Sequence, residues 1–104
     1  MNLEEFVIGV TKKIGEIHLQ YFKKTITITQ KTRYPSDIIT NVDKLSEKVL
    51  IDWARRECFD GIILTEESGE IKIGENHELK LIVDPLDGSF NFSIGIPSFC
   101  VAMF

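Results

Sequence analysis

The stretch Val83-Asp84-Pro85-Leu86-Asp87-Gly88-Ser89-Phe90-Asn91-Phe92 carries two aspartates directly behind an apolar run, Leu79 to Val83, that reads as a β-strand. A Gly-Ser pair follows, where a new helix can begin. Carboxylate oxygens therefore stand beside a turn of backbone N–H groups. Carboxylates hold a hard cation, and N–H groups at a helix start hold an anion such as phosphate. Pro85 sets one torsion and Gly88 permits a left-handed or close-approach geometry. Such a rigid turn suits magnesium, which accepts few wrong distances. Metal-assisted phosphate chemistry is the expectation.

Upstream, Leu3, Phe6, Val7, Val10, Ile14, Ile17 and Tyr21 recur at steps of three and four and predict a helix from about residue 3 to 22. Glu4 and Glu5 in its first turn and Lys23 and Lys24 at its end suit the helix dipole. His18 lies beside the stripe and reads as a packing or surface histidine, since no second ligand type stands near it. Thr25 to Thr29 alternates with period two and predicts a strand with one wet face. Gln30 to Asp37 reads as a polar loop. Thr40 has the character of a helix N-cap, with Asp43 three residues on, and Val42, Leu45, Val49 and Trp53 form the apolar face of a second helix ending near Arg56 or Glu57. Further strands are expected over Gly61 to Thr65, around Ile71 and Ile73, and over Ser98 to Phe104, with a turn at Gly74 to His77.

The chain has 104 residues, about one small domain, and its 43% hydrophobic and 27% charged composition is that of a globular protein. Net charge is −4, so a nucleic-acid backbone is not the expected partner, and an anionic substrate needs cations between it and the protein. Cys58 and Cys100 form no Cys-x-x-Cys pair and read as buried reduced thiols. The start has no signal-peptide pattern, and no apolar run is long enough to span a bilayer, so a cytoplasmic location without membrane contact is expected. The apolar run Phe99 to Phe104 needs cover, which suggests a larger unit, by truncation or by assembly; a tucked-in terminal strand is the plainer alternative.

Acidic groups follow the apolar runs. Glu66 and Glu67 come after Gly61–Thr65, Asp84 and Asp87 after Leu79–Val83, and Asp43 opens the second helix. Each has an ordinary reading alone: a solvated loop for Glu66-Glu67, a turn for Asp87-Gly88, a first-turn acid for Asp43. Ligands collect at the carboxyl ends of strands in open α/β sheets, so Glu66 and Asp84 meet if their strands are neighbours. A calcium EF-hand loop is excluded, because it needs acids at alternate positions before its glycine.

Asp84 to Phe92 resembles the first signature of the inositol monophosphatase family, whose superfamily includes fructose-1,6-bisphosphatases and other lithium-sensitive, magnesium-dependent phosphatases. Thr65-Glu66-Glu67-Ser68 is similar to the family's Gly-Glu-Glu-Ser element, and Asp37 to Asp43 to its Asp-x-x-Thr-x-x-Asp element. Gly95-Ile96-Pro97-Ser98-Phe99 is also family-like. The resemblance implies the amino-terminal half of a sugar-phosphatase fold over residues 1–104: a layered α/β (α+β) arrangement with two amino-terminal helices on a mainly antiparallel sheet. It implies that Glu66, Asp84, Asp87 and the Leu86 carbonyl bind metal, and that Asp87, Gly88 and Ser89 bind the substrate phosphate. Asp43, Glu66 and Ser89 form the implied catalytic group. The Ser89 hydroxyl, threonine in most relatives, orients an attacking water, and Asp43 holds a water or a third, weaker metal. Glu67 and Thr40 support these from behind, and Lys31 or Arg33 serves as the basic residue of the loop.

The implied reaction is direct hydrolysis of an inositol or sugar phosphate with two magnesium ions per complete site, or three where Asp43 holds a metal instead of a water. A homodimer is the implied assembly. The family's second half supplies a further metal-binding aspartate in a Trp-Asp-x-x-Ala-like motif that this sequence lacks, so weak magnesium binding and slow or no turnover are expected of the chain alone. Leu86 is similar to the fructose bisphosphatase version of the signature. The rivals are a 3′-phosphoadenosine nucleotide phosphatase of the same superfamily and a non-catalytic half that binds metal or a partner chain.

Overall fold

The computed structural model describes residues 1–104. Helix α1 spans Leu3–Tyr21, and Asn2 caps it by accepting the Glu5 N–H at 3.0 Å. Short strands β1 (Ile28–Gln30) and β2 (Ile38–Thr40) form an antiparallel ribbon that leads into α2 (Asn41–Arg56). Strands β3 (Gly61–Thr65), β4 (Gly69–Ile73) and β5 (Lys80–Asp87), the short helix α3 (Ser89–Ser93) and strand β6 (Cys100–Met103) complete the chain. The main sheet has the order β4-β3-β5-β6; β3 and β5 run parallel, and the other two pairings are antiparallel. This is the expected layered α/β architecture, with two helices on a mainly antiparallel sheet.

Two apolar clusters hold the layers. The larger joins Phe6, Val10 and Ile14 of α1 and Leu50 and Ala54 of α2 to Ile63, Leu81 and Val83 of the sheet. Alternation in β5 sends Leu81 and Val83 inward and leaves Ile82 45% exposed, as a sheet with one covered face requires. The smaller cluster, Ile17, Val42, Leu86 and Phe92, lies under the Asp84–Ser89 turn, where Phe22 and Phe99 pack against it. Burial of such side chains is the main force holding that turn in place, at about 1.5–3 kcal/mol each.

Several expectations need correction. Cys58 and Cys100 are free thiols, as expected, but both are exposed. The strand placed at Thr25 to Thr29 is realised only from Ile28, and all three residues of β1 are exposed. Its only partner is the three-residue β2, and of the alternating residues only Ile26, ahead of the strand, packs against the core. The buried face of α2 is also rotated. Val42 is buried as expected, but Leu45, Val49 and Trp53 are only half-buried, while Asp43, Ser46, Glu47, Leu50 and Ala54 are buried. A helix that packs on the core and also serves a polar cleft must turn acidic groups inward. Finally, β5 runs past Val83 to Asp87, and its pairing with β6 shifts between Asp84↔Ala102 and Asp87↔Cys100. Three steps on β5 match two on β6, which is a bulge at Pro85-Leu86, where proline has no N–H to give the ladder.

Of the two readings of His18, the structure shows packing. The ring is 3% exposed, lies edge-on to Phe92 and Phe99, and has no hydrogen-bond partner for Nε2. Burial lowers its pKa, against smaller opposing effects of the Pro85 carbonyl and the Asp43 charge. The folded state therefore resists a proton that the unfolded chain accepts below about pH 6.5. Stability from this group is complete above that pH and declines as pH falls toward the lowered folded value. Urea melts at pH 7.5 and 5.5 should show a smaller acid loss in His18→Leu than in the native sequence; equal losses would contradict this account.

Candidate active site

One cleft of about 250 Å³ opens above the carboxyl ends of β3 and β5. It falls just below the ~300–1,000 Å³ usual for ligand sites, the scale of a compact polar molecule. Its lining includes Lys31, Asp43, Glu47, Glu66, Asp84 and Ser89. The parallel pairing creates it: Thr65 sits opposite Val83, so Glu66, just past β3, and Asp84, within β5, stand at the same level.

The capping box at the start of α2 builds the floor. Asp43 Oδ2 accepts the Thr40 N–H at 2.8 Å and the Thr40 hydroxyl at 2.7 Å, and Thr40 Oγ1 accepts the N–H groups of Val42 and Asp43. Asp43 Oδ1 is left for Ser89, whose hydroxyl lies 2.6 Å away. The carbonyl of Leu86 lies 3.0 Å from the same hydroxyl. Gly88 precedes α3 with φ 94°, and a Cβ there would stand 2.7 Å from the Ser98 carbonyl oxygen. Only glycine fits this corner without backbone strain.

Negative charge is concentrated here. Burial raises the Asp84 carboxyl above its usual range, the Asp87 charge adds to this, and Glu66 and Asp43 contribute further; the Leu86 N–H, 3.3 Å from Asp84 Oδ1, works in the opposite direction. Burial also raises Glu47, with Glu67 and Asp43 adding to the effect against the Thr65 hydrogen bond. Lys31 is the compensating cation: its Nζ lies 3.0 Å from both Glu66 Oε1 and Glu67 Oε1. These two bonds raise the pKa of the lysine. Between the two basic loop residues of the sequence reading, Lys31 reaches the acids, whereas Arg33 lies against Tyr34.

The cleft thus brings together Asp43, Glu66, Glu67, Asp84, Leu86, Gly88 and Ser89. Asp87 instead lines an adjoining cleft with Gly88 and Asn91, and Thr40 is buried beneath the floor. No three of the acids, histidines or thiols stand close enough to surround one ion. The donor chemistry nevertheless fits a hard dication: every donor is an oxygen, and Asp84 is short of positive charge. Glu47 went unnoticed in the sequence, although its place four residues after Asp43 puts it on the same helix face.

The sequence profile of the inositol monophosphatase family matches residues 2–103. The chain belongs to that family. It is 35% identical over 96 residues to the Nus factor SuhB of Haemophilus influenzae, a match covering 92% of this chain and 36% of the relative. Its fold is similar to that of the extragenic suppressor protein SuhB of Bartonella henselae, with TM-score 0.85 and 29% identity over 97% of this chain and 39% of that one. It is also similar to an inositol monophosphatase-fructose 1,6 bisphosphatase, with TM-score 0.77 and 28% identity over 99% of this chain and 40% of that one. The chain therefore spans little more than a third of the length of these relatives. Membership in the inositol monophosphatase family supports phosphatase chemistry in general. No helix is long and apolar enough to cross a membrane.

Proposed function

We propose that this chain carries the amino-terminal part of a magnesium-dependent phosphatase site for an inositol or sugar phosphate. The observation that supports it most is the Thr65↔Val83 register, which sets Glu66 and Asp84 at one cleft above Asp43 and Ser89. Glu66, Asp84 and the Leu86 carbonyl line the cleft as the groups to hold the metal, and Asp87 would have to join them from the adjoining cleft. Bound there, magnesium supplies charge neutralisation at the phosphoryl oxygens and acidifies water. The protein's share is orientation. Thr40 occupies one oxygen of Asp43, so the other receives the Ser89 hydroxyl. With its proton committed, Ser89 offers lone pairs to an incoming water. Gly88 and Ser89 are the groups to meet the phosphate, and Glu67 keeps Lys31 beside the acids.

Substrate choice follows from comparing phosphate release from inositol 1-phosphate, fructose 1,6-bisphosphate and 3′-phosphoadenosine 5′-phosphate. Release that needs magnesium and favours the first two supports the proposal. Preference for the nucleotide, or release indifferent to chelator, would overturn it. The Haemophilus relative is a Nus factor, which favours a second reading in which a partner-binding role matters more than turnover. That role would survive loss of the cleft acids.

A further inference from the structure

Glu47 is a further acid at the cleft, 6% exposed, and none of the roles above uses it. Its Oε1 accepts the Thr65 hydroxyl at 3.0 Å and also the hydroxyl of Ser68. Thr65 Oγ1 in turn accepts the Ser68 N–H at 3.0 Å. These residues flank Glu66 and Glu67 on either side. One carboxylate oxygen on α2 therefore gathers both ends of the turn that presents the two glutamates. Glu66 and Glu67 are exposed and, apart from Lys31, make no side-chain hydrogen bond that would hold them.

Burying a carboxylate is costly unless hydrogen bonds compensate, and a pocket already rich in acids increases that cost. A carboxylate retained under these conditions needs a role that hydroxyl pairing on the turn provides. Charge-assisted hydrogen bonds are about twice as strong as neutral ones and hold geometry better.

We infer that Glu47 is a positioning residue, which fixes the Thr65–Ser68 turn on helix α2 so that Glu66 is held toward the divalent cation opposite Asp84. The inference rests on the metal-site reading above. Partners that orient a metal ligand typically change affinity by about 10- to 100-fold when removed.

The test combines two measurements on the full chain. Hydrogen exchange at the Ser68 N–H reports the turn without any metal, and calorimetric titration with magnesium chloride reports the site. Glu47→Leu is expected to lose protection at Ser68 and to weaken magnesium binding by about 10-fold or more. Glu47→Gln keeps an acceptor oxygen, and should restore protection and most of the affinity. Ser68→Ala, at an exposed position, should fold even if Glu47→Leu does not, and should bind magnesium several-fold more weakly. Native protection and affinity in Glu47→Leu would overturn the inference, as would native affinity in Ser68→Ala. So would a Glu47→Gln variant as impaired as Glu47→Leu, which would make charge rather than hydrogen bonding the role. A native chain that binds no magnesium sinks the metal-site reading instead, while the exchange data still decide whether Glu47 holds the turn.

Discussion

On the proposed metal-site reading, Asp84→Asn is expected to abolish magnesium binding and whatever magnesium-dependent phosphate release the native chain supports and, in chelator, to raise the melting temperature. Burial and the charge of Asp87 both oppose ionisation of Asp84, and Glu66 and Asp43 add to the repulsion. An amide removes that repulsion while nearly keeping size and shape, and its oxygen can still accept the Leu86 N–H. On the same reading, the change removes an anionic ligand from the proposed metal site. Loss of partners one step removed from a metal already costs about 10- to 100-fold, so activity should fall by at least about 100-fold. Phosphate-release assays with magnesium and thermal melts with chelator test the two halves separately. Undiminished turnover would remove Asp84 from the metal site. A lower melting temperature would mean that the acids are not in conflict without metal.

The second large effect is expected from Gly88→Ala. The residue sits at φ 94°, where an L side chain is strained, and its Cβ would press to 2.7 Å from the Ser98 carbonyl oxygen and 3.2 Å from the Phe99 Cα. Both neighbours are backbone, so neither can swing aside. Strained backbone of this kind costs of order 1–3 kcal/mol, and the contact with Ser98 adds to it. Relief requires moving either the β5–α3 corner or the segment before β6. Either movement displaces Ser89 from Asp43, now 2.6 Å apart. Denaturant unfolding should show a stability loss of at least about 1 kcal/mol. Phosphate release should fall together with stability, and a variant as stable and active as the native chain would contradict the role given to this corner.

Local signals were legible where one segment contains its own explanation. The α1 stripe from Phe6 to Ile17 predicts which face is buried, because helix periodicity is a property of a single segment. Thr40 and Asp43 announce the α2 start, since their capping bonds span only three residues. The Thr25–Thr29 alternation misled, because a strand also needs a partner and a core to face, and β2 offers only three residues. The face of α2 misled for the opposite reason. Leu45 and Trp53 have the expected polarity, but burial goes to Asp43 and Glu47, whose partners Ser89, Thr65 and Ser68 lie far along the chain. The exposed positions of Cys58 and Cys100 likewise follow from the surrounding layers, not from thiol chemistry.

The sequence alone determined the ingredients: two carboxylates on a proline-stiffened turn, an acidic pair behind a short apolar run, a capped helix, and a glycine at a corner that calls for one. Those are matters of residue type and short spacing. The tertiary structure decided which acids share a cleft. It set Glu66 beside Asp84 through parallel strand pairing, turned Asp87 toward the adjoining cleft, brought Lys31 rather than Arg33 to the glutamates, and placed Glu47 behind their turn. The physical reason is range: periodicity and capping act within a few residues, whereas electrostatic fields and hydrogen bonds at a site depend on groups that only chain folding brings within a few ångströms.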